Sequence, residues 1–151
     1  MSLNEWAQKG KLKAHKTSAK EIVQLLTVVE RDLTDAQVLA LSADRRFTTA
    51  YNGALQLATI LLRLAGFRTN SNQAGHHQIT IEALPKIMGP KLKGLADYLN
   101  TCRTTRHLCD YTSAGEVSEE DIAKCLEKIH AFRKLVLQQV KQAYPRIALK
   151  A

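Results

Sequence analysis

From Ala43 to Ala65 the chain reads ADRRFTTAYNGALQLATILLRLA, and Phe47, Ala50, Tyr51, Ala54, Leu55, Ala58, Leu61, Leu62 and Ala65 recur at steps of three and four. Such steps return to one side of an α-helix, whereas a strand alternates at every second residue. The stripe widens toward LATILLRLAG until more than one side is apolar. A helix apolar on several sides is a central one, touched by several neighbours. Ser42 stands where an N-cap is needed and Gly66 where a helix stops. The rest of the chain must supply the neighbours that cover this helix.

It does so with further helices. Ser18, with Glu21 three residues on, forms a capping-box pattern ahead of Ile22, Leu25, Leu26, Val29 and Leu33. Ser118, followed by Glu119, Glu120 and Asp121, opens a long helix faced by Ile122, Cys125, Leu126, Ile129, Phe132, Val136 and Val140. Between them, QITIEALPKIMG is a short or kinked helix, because Pro85 cannot sit in an undisturbed helix interior. A helix from about Lys91 to Tyr111 follows, with Leu92, Leu95, Leu99 and Cys102 inward. RTNSNQAGHH and TSAGEV are polar, glycine-containing loops. No period-two strand is expected; HHQITIEAL is the one short candidate. These elements predict an all-α fold, an antiparallel bundle of four to five helices. Leu55, Leu62, Leu95, Leu99, Ile129 and Phe132 are expected in its core. Residues 1–17 form a basic N-terminal extension, 18–144 the bundle and 145–151 a tail.

The 151 residues suffice for one domain with its own core. No apolar run approaches the ~18 residues of a membrane span. NEWAQKGKLKAHK has lysines but no apolar stretch after them, so no signal peptide is expected and a cytoplasmic location is. The 3 cysteines, Cys102, Cys109 and Cys125, sit at apolar helical positions and read as reduced, buried thiols. No clustered metal ligands appear, and no metal or cofactor is expected. The net charge is +8, and Lys9, Lys11, Lys13, Lys16 and Lys20 against Glu5 place half of it in the first 20 residues. A flexible basic arm of this kind suits a nucleic acid or an acidic partner, or is simply a solvated tail. With 5% aromatic residues there is no stacking platform for single strands.

One segment departs from plain amphipathicity. In TCRTTRHLCDY the inward stripe Leu92–Leu95–Leu99–Cys102 continues to Arg106. Arg103, Arg106, His107 and Asp110 are neighbours on one helical face. Guanidinium forks suit phosphate oxygens and a nearby imidazole can move a proton. The bland alternative is internal pairing of Arg106 with Asp110 at a solvated helix end. The adjacent His76 and His77 have no partner ligands at metal spacing and read as a solvated or capping pair.

RRFTTAYNGALQLATILLRLAGFR, then GHHQITIEAL, RTTRHLCDY and VSEEDIAKCLEKIHAFRKLVLQQV, in that order, resemble the HEPN superfamily over about residues 42–144. The branch most similar carries Arg, two residues, Arg, then Asp-Tyr, matched here by Arg103, Arg106, Asp110 and Tyr111. The resemblance implies a helical-bundle homodimer whose arginine motifs share a cleft. It also implies a role in toxin–antitoxin or defence systems, either as a metal-independent ribonuclease or as the non-catalytic partner of a minimal nucleotidyltransferase. The family's nuclease motif places a histidine about four to six residues after its arginine; after Arg106 those positions hold Asp110, Tyr111 and Thr112. Only Arg103 and His107 have a spacing of four. The resemblance thus implies binding of RNA, a nucleotide or a nucleotidyltransferase through Arg103, Arg106, Asp110 and Tyr111. The alternative is a ribonuclease using His107 with Arg103 and Arg106. A purely structural bundle is a third class.

Overall fold

The computed structural model describes residues 1–111 and 114–149, without the side chain of Tyr111. Its elements are α1 (Leu3–Gln8), β1 (Leu12–Ala14), α2 (Ala19–Asp35), α3 (Ala43–Leu64), β2 (Phe67–Thr69), α4 (His76–Glu82), α5 (Leu84–Met88), a 3-10 turn (Pro90–Leu92), α6 (Lys93–Tyr111) and α7 (Glu119–Ala143). The fold is an all-α bundle carrying one two-stranded ribbon. Among the described residues no helix is long and apolar enough to cross a membrane.

The broad stripe of α3 is spent as its pattern requires. This helix packs against α2, α6 and α7, and its Tyr51, Leu57, Ile60, Leu61 and Leu62 are all but inaccessible. Gly53 lets α2 approach closely, since a Cβ there would meet Leu33 Cδ2 at 3.3 Å. Ion pairs fix the relative directions. Arg46 near the start of α3 bonds Glu119 at the start of α7 at 2.7 Å, and Asp44 accepts the backbone N–H groups of Gly115 and Val117 just before α7. Arg133 meets Glu30 of α2 at 2.6 Å. Helices α3 and α7 therefore run the same way, with α2 and α6 opposed to them, as successive antiparallel connections require.

Leu55, Leu62, Leu99, Ile129 and Phe132 are buried as expected. Leu95 is only half-buried: it lies in an open groove between α6 and α7 with Tyr98, Phe132 and Leu135. The predicted box at Ser18 is half made. Its hydroxyl accepts the Glu21 N–H, but the Glu21 carboxylate bonds Thr17, His15 and Arg63 instead. Asp121 completes the box at Ser118.

Two expectations need correcting, the absence of strands and the flexible N-terminal arm. QITIEALPKIMG is helical as expected, with Thr80, Ile81 and Leu84 on one buried side. The real strands lie elsewhere, in stretches too short for alternation to show: β1 pairs antiparallel with β2, with Leu12 opposite Thr69, Lys13 opposite Arg68 and Ala14 opposite Phe67. The first residues are accordingly not a loose arm. Trp6 and Leu12 are buried with Leu62 and Ala83 in a second apolar cluster, and Ser2 caps α1 through a box with Glu5.

Candidate anion-binding cleft

Two helices supply the walls of a cleft of about 450 Å³, lined by Gly75, His76, His77 and Gln78 on one side and by Arg103, Thr104, Arg106, His107 and Asp110 on the other. The first wall is the start of α4. Gly75 precedes it at φ 80°, a left-handed conformation that a side chain would strain, and so turns the incoming loop abruptly into the helix. The Thr80 hydroxyl donates to the His76 carbonyl at 2.9 Å, while buried Ile81 fastens the helix to the bundle. The second wall is the last turns of α6, a helix held in the core one and two turns earlier by Cys102 and Leu99.

Arg106 continues the inward stripe of α6, as its spacing predicts, and its side chain is 35% exposed. Its Nε lies 3.5 Å from Asp110 Oδ2, an ion pair rather than a short hydrogen bond. Its guanidinium carbon stands 5.7 Å from the centre of the Tyr51 ring, within cation–π range. Arg103 is half-buried; one Nη donates to Gln78 Oε1 across the cleft at 3.5 Å, and its Nε is buried with no partner. Beneath lies the Tyr51 hydroxyl, also buried and unpartnered. Burial pushes that phenol up to about 12, against the nearby arginines, which pull it down.

The imidazoles differ in setting. His76 and His77 meet edge to face, ring centres 4.2 Å apart. His76 Nδ1 lies 3.3 Å from the Gln73 carbonyl, a bond that only its N–H form makes, which leaves Nε2 for the cleft. His77 is held below its ordinary value, first by burial, then by His76, Arg106 and Arg103. These surroundings favour the neutral imidazole. His107 is exposed at the rim.

Of the residues singled out in the sequence, Arg103, Arg106, His107 and Asp110 share one wall, while the Tyr111 side chain falls outside the described residues. His76 and His77 are not a solvated pair but half-buried members of the facing wall. Tyr51 reads in the sequence as core, which it is, and nothing there shows that its hydroxyl lies near both arginines. The only local signal for the α4 wall is the Gly-His-His run at a helix start, remote in sequence from the arginines it faces.

Chemically, the cleft offers guanidinium donors, three imidazoles and one carboxylate around a space large enough for a phosphate with its substituents. Among the described residues no three His, Cys, Asp or Glu side chains gather as a metal site. No family model, curated protein or solved structure matches the chain.

Proposed function

We propose that this protein binds the phosphodiester of an RNA, or the phosphate of a nucleotide, in the cleft between α4 and α6. The observation that supports this is the pair of arginines facing His76 and His77, with Arg103 Nε buried and unpartnered and Arg106 held only loosely by Asp110. Unmet donors in a half-buried, positive concavity are stabilised by an anion that brings its own oxygens. The HEPN resemblance extends the proposal. The chain works as a homodimer in a toxin–antitoxin or defence system, through bound RNA or a minimal nucleotidyltransferase partner.

The test is a fluorescence-anisotropy titration of labelled single-stranded RNA. Loss of a charge-assisted contact costs about 1.5–3 kcal/mol, so Arg103→Ala and Arg106→Ala should each weaken binding roughly 10- to 100-fold. Wild-type protein that fails to bind, or variants that bind equally well, would sink the proposal. Static light scattering addresses association: a monomer of 16.8 kDa at micromolar concentration counts against the dimer.

A second reading is favoured by one observation, His77 on the wall facing His107, in surroundings that favour its neutral form. RNA carries its own nucleophile. An imidazole on one wall can take the 2′-hydroxyl proton while that oxygen bonds to phosphorus. An imidazolium on the other can protonate the departing 5′-oxygen as its bond to phosphorus breaks. Arg103 and Arg106 would stabilise the charge on the phosphorane. This chemistry requires cleavage in the presence of chelator that His107→Ala or His77→Ala abolishes.

A further inference from the structure

A second cationic surface lies on the ribbon. Lys13 and Arg68 are directly opposite in the β1–β2 register, so their side chains leave the same face. The other face is the apolar one: Leu12 is buried, and Phe67 packs with it on Leu62 and Ala83. Like charges directly across a strand pair repel, and such pairs normally have a carboxylate nearby. Here neither cation forms an ion pair with a described carboxylate. Arg63 is close enough that Arg68 helps to depress its ionisation, and the one carboxylate at hand, Glu21, is already shared among Arg63, His15 and Thr17. Two more ammonium groups lie over a single indole beside the ribbon: Lys11 Nζ is 5.2 Å and Lys86 Nζ 4.7 Å from the centre of the Trp6 ring, and Lys86 Nζ also donates to the Met1 carbonyl.

The sequence carries the same message in its gaps. No Asp or Glu occurs between Glu5 and Glu21, nor between Asp44 and Glu82. Those two acid-free stretches contain both strands and the α4 wall of the cleft. The strand holding Arg68 runs on through one loop into the helix holding His76 and His77, and α4 packs against β2. A positive track that narrows into a positive cleft suits an extended polyanion with evenly spaced charges.

We infer that the β1–β2 ribbon, through Lys11, Lys13, Arg63, Arg68 and Lys86, is a secondary binding surface for the sugar–phosphate backbone of a nucleic acid strand whose one phosphodiester occupies the cleft. It rests on the cleft reading for the end of that strand. The ribbon grips without reading bases, because it offers charges and no stacking rings. It supplies length-dependent affinity and the cleft supplies the local contact.

The test uses the full chain, a long labelled single-stranded RNA and an RNA dinucleotide. In the variant with Lys13→Gln and Arg68→Gln, affinity for the long RNA should fall at least tenfold at low salt. The slope of log affinity against log salt should shrink by about 1.4, the share of two single-strand phosphate contacts. Dinucleotide binding should stay unchanged, because it reaches only the cleft. A control with the same net charge, Lys134→Gln with Lys141→Gln on α7, should leave the slope as it is. Circular dichroism melts verify folding, and the ribbon variant should melt no lower than wild type. The ribbon reading is overturned if the slope is unchanged, or if the α7 control loses as much as the ribbon variant. It also falls if only binding to anionic vesicles responds to the ribbon variant, which would assign this face to a membrane. Failure of the dinucleotide to bind, with long RNA still dependent on Lys13 and Arg68, refutes the cleft and leaves the ribbon standing.

Discussion

Tyr51→Phe should make this protein more stable. The Tyr51 side chain is 1% exposed, in the middle of the α3 packing surface, and its hydroxyl has no hydrogen-bond partner. A buried hydroxyl left unsatisfied costs about 1–3 kcal/mol of folding free energy. Phenylalanine keeps the ring on which Arg106 rests and removes only the oxygen. For a chain of this size each kcal/mol moves the melting temperature by about 2–4 °C, so the expected rise is roughly 2–12 °C. A pH arm isolates the cause. The phenol lies near 10 in the unfolded chain and is pushed up to about 12 in the fold. The unfolded state therefore ionises first. Stability linked to this group is complete below pH 10 and is lost as pH rises through about 12. Thermal melts by circular dichroism should show wild type losing stability above pH 10 more steeply than Tyr51→Phe. A variant that melts lower at neutral pH would mean the hydroxyl is satisfied in the folded protein, and would refute this reasoning.

Other perturbations have equally definite outcomes. Arg46→Ala removes the 2.8 Å bond to the Ala36 carbonyl that closes the α2–α3 turn and the pairing with well-exposed Glu119, and should cost about 1–3 kcal/mol in urea denaturation, mostly from the stranded carbonyl. Gly53→Val puts two methyl groups where even a Cβ is tight against Leu33, and should cost about 1–3 kcal/mol. Because His77 is depressed in the fold, the unfolded chain binds the extra proton as pH falls below about 6.5. Stability should decline through that window, and His77→Gln should flatten the decline. Binding of a phosphate should reverse the preference by favouring the imidazolium, so that RNA affinity rises over the same interval and salt-dependent calorimetry records proton uptake.

Helices α2, α3 and α7 were legible because each announces itself twice, by a 3.6-residue stripe and by a serine cap. Ser42, Ser18 and Ser118 all cap where the pattern places them. The ribbon was not legible, since three-residue strands carry too little alternation and their pairing joins residues far apart in sequence. It also changed the meaning of the N-terminal lysines. In sequence they are an arm, but Trp6 and Leu12 anchor them, and an anchored cation loses less entropy on meeting a partner than a tethered one. Half of the cleft was visible for a similar reason. Arg103, Arg106, His107 and Asp110 lie on one helix, so spacing alone unites them, whereas His76 and His77 join them only through the packing of α4 on α6.

That packing also explains why an arginine extends an apolar stripe. Along α6, Ala96, Leu99 and Cys102 are buried, and the next inward step falls where α3 presents the Tyr51 ring and α4 presents a short polar turn in place of another apolar face. A leucine at 106 would reach the same ring but would close the cleft with a dry contact. Arginine stays within cation–π reach of the ring and still directs N–H groups at the space between the walls, where a lysine offers only a compact ammonium on a flexible stem. Arg106→Leu and Arg106→Lys should therefore separate the two duties. The leucine variant should fold at least as stably as wild type and lose RNA binding. The lysine variant should keep the charge, and yet bind less tightly, because the planar fork of donors is gone. If lysine restores full affinity, the position needs only a positive charge, and the guanidinium fork has no part in binding.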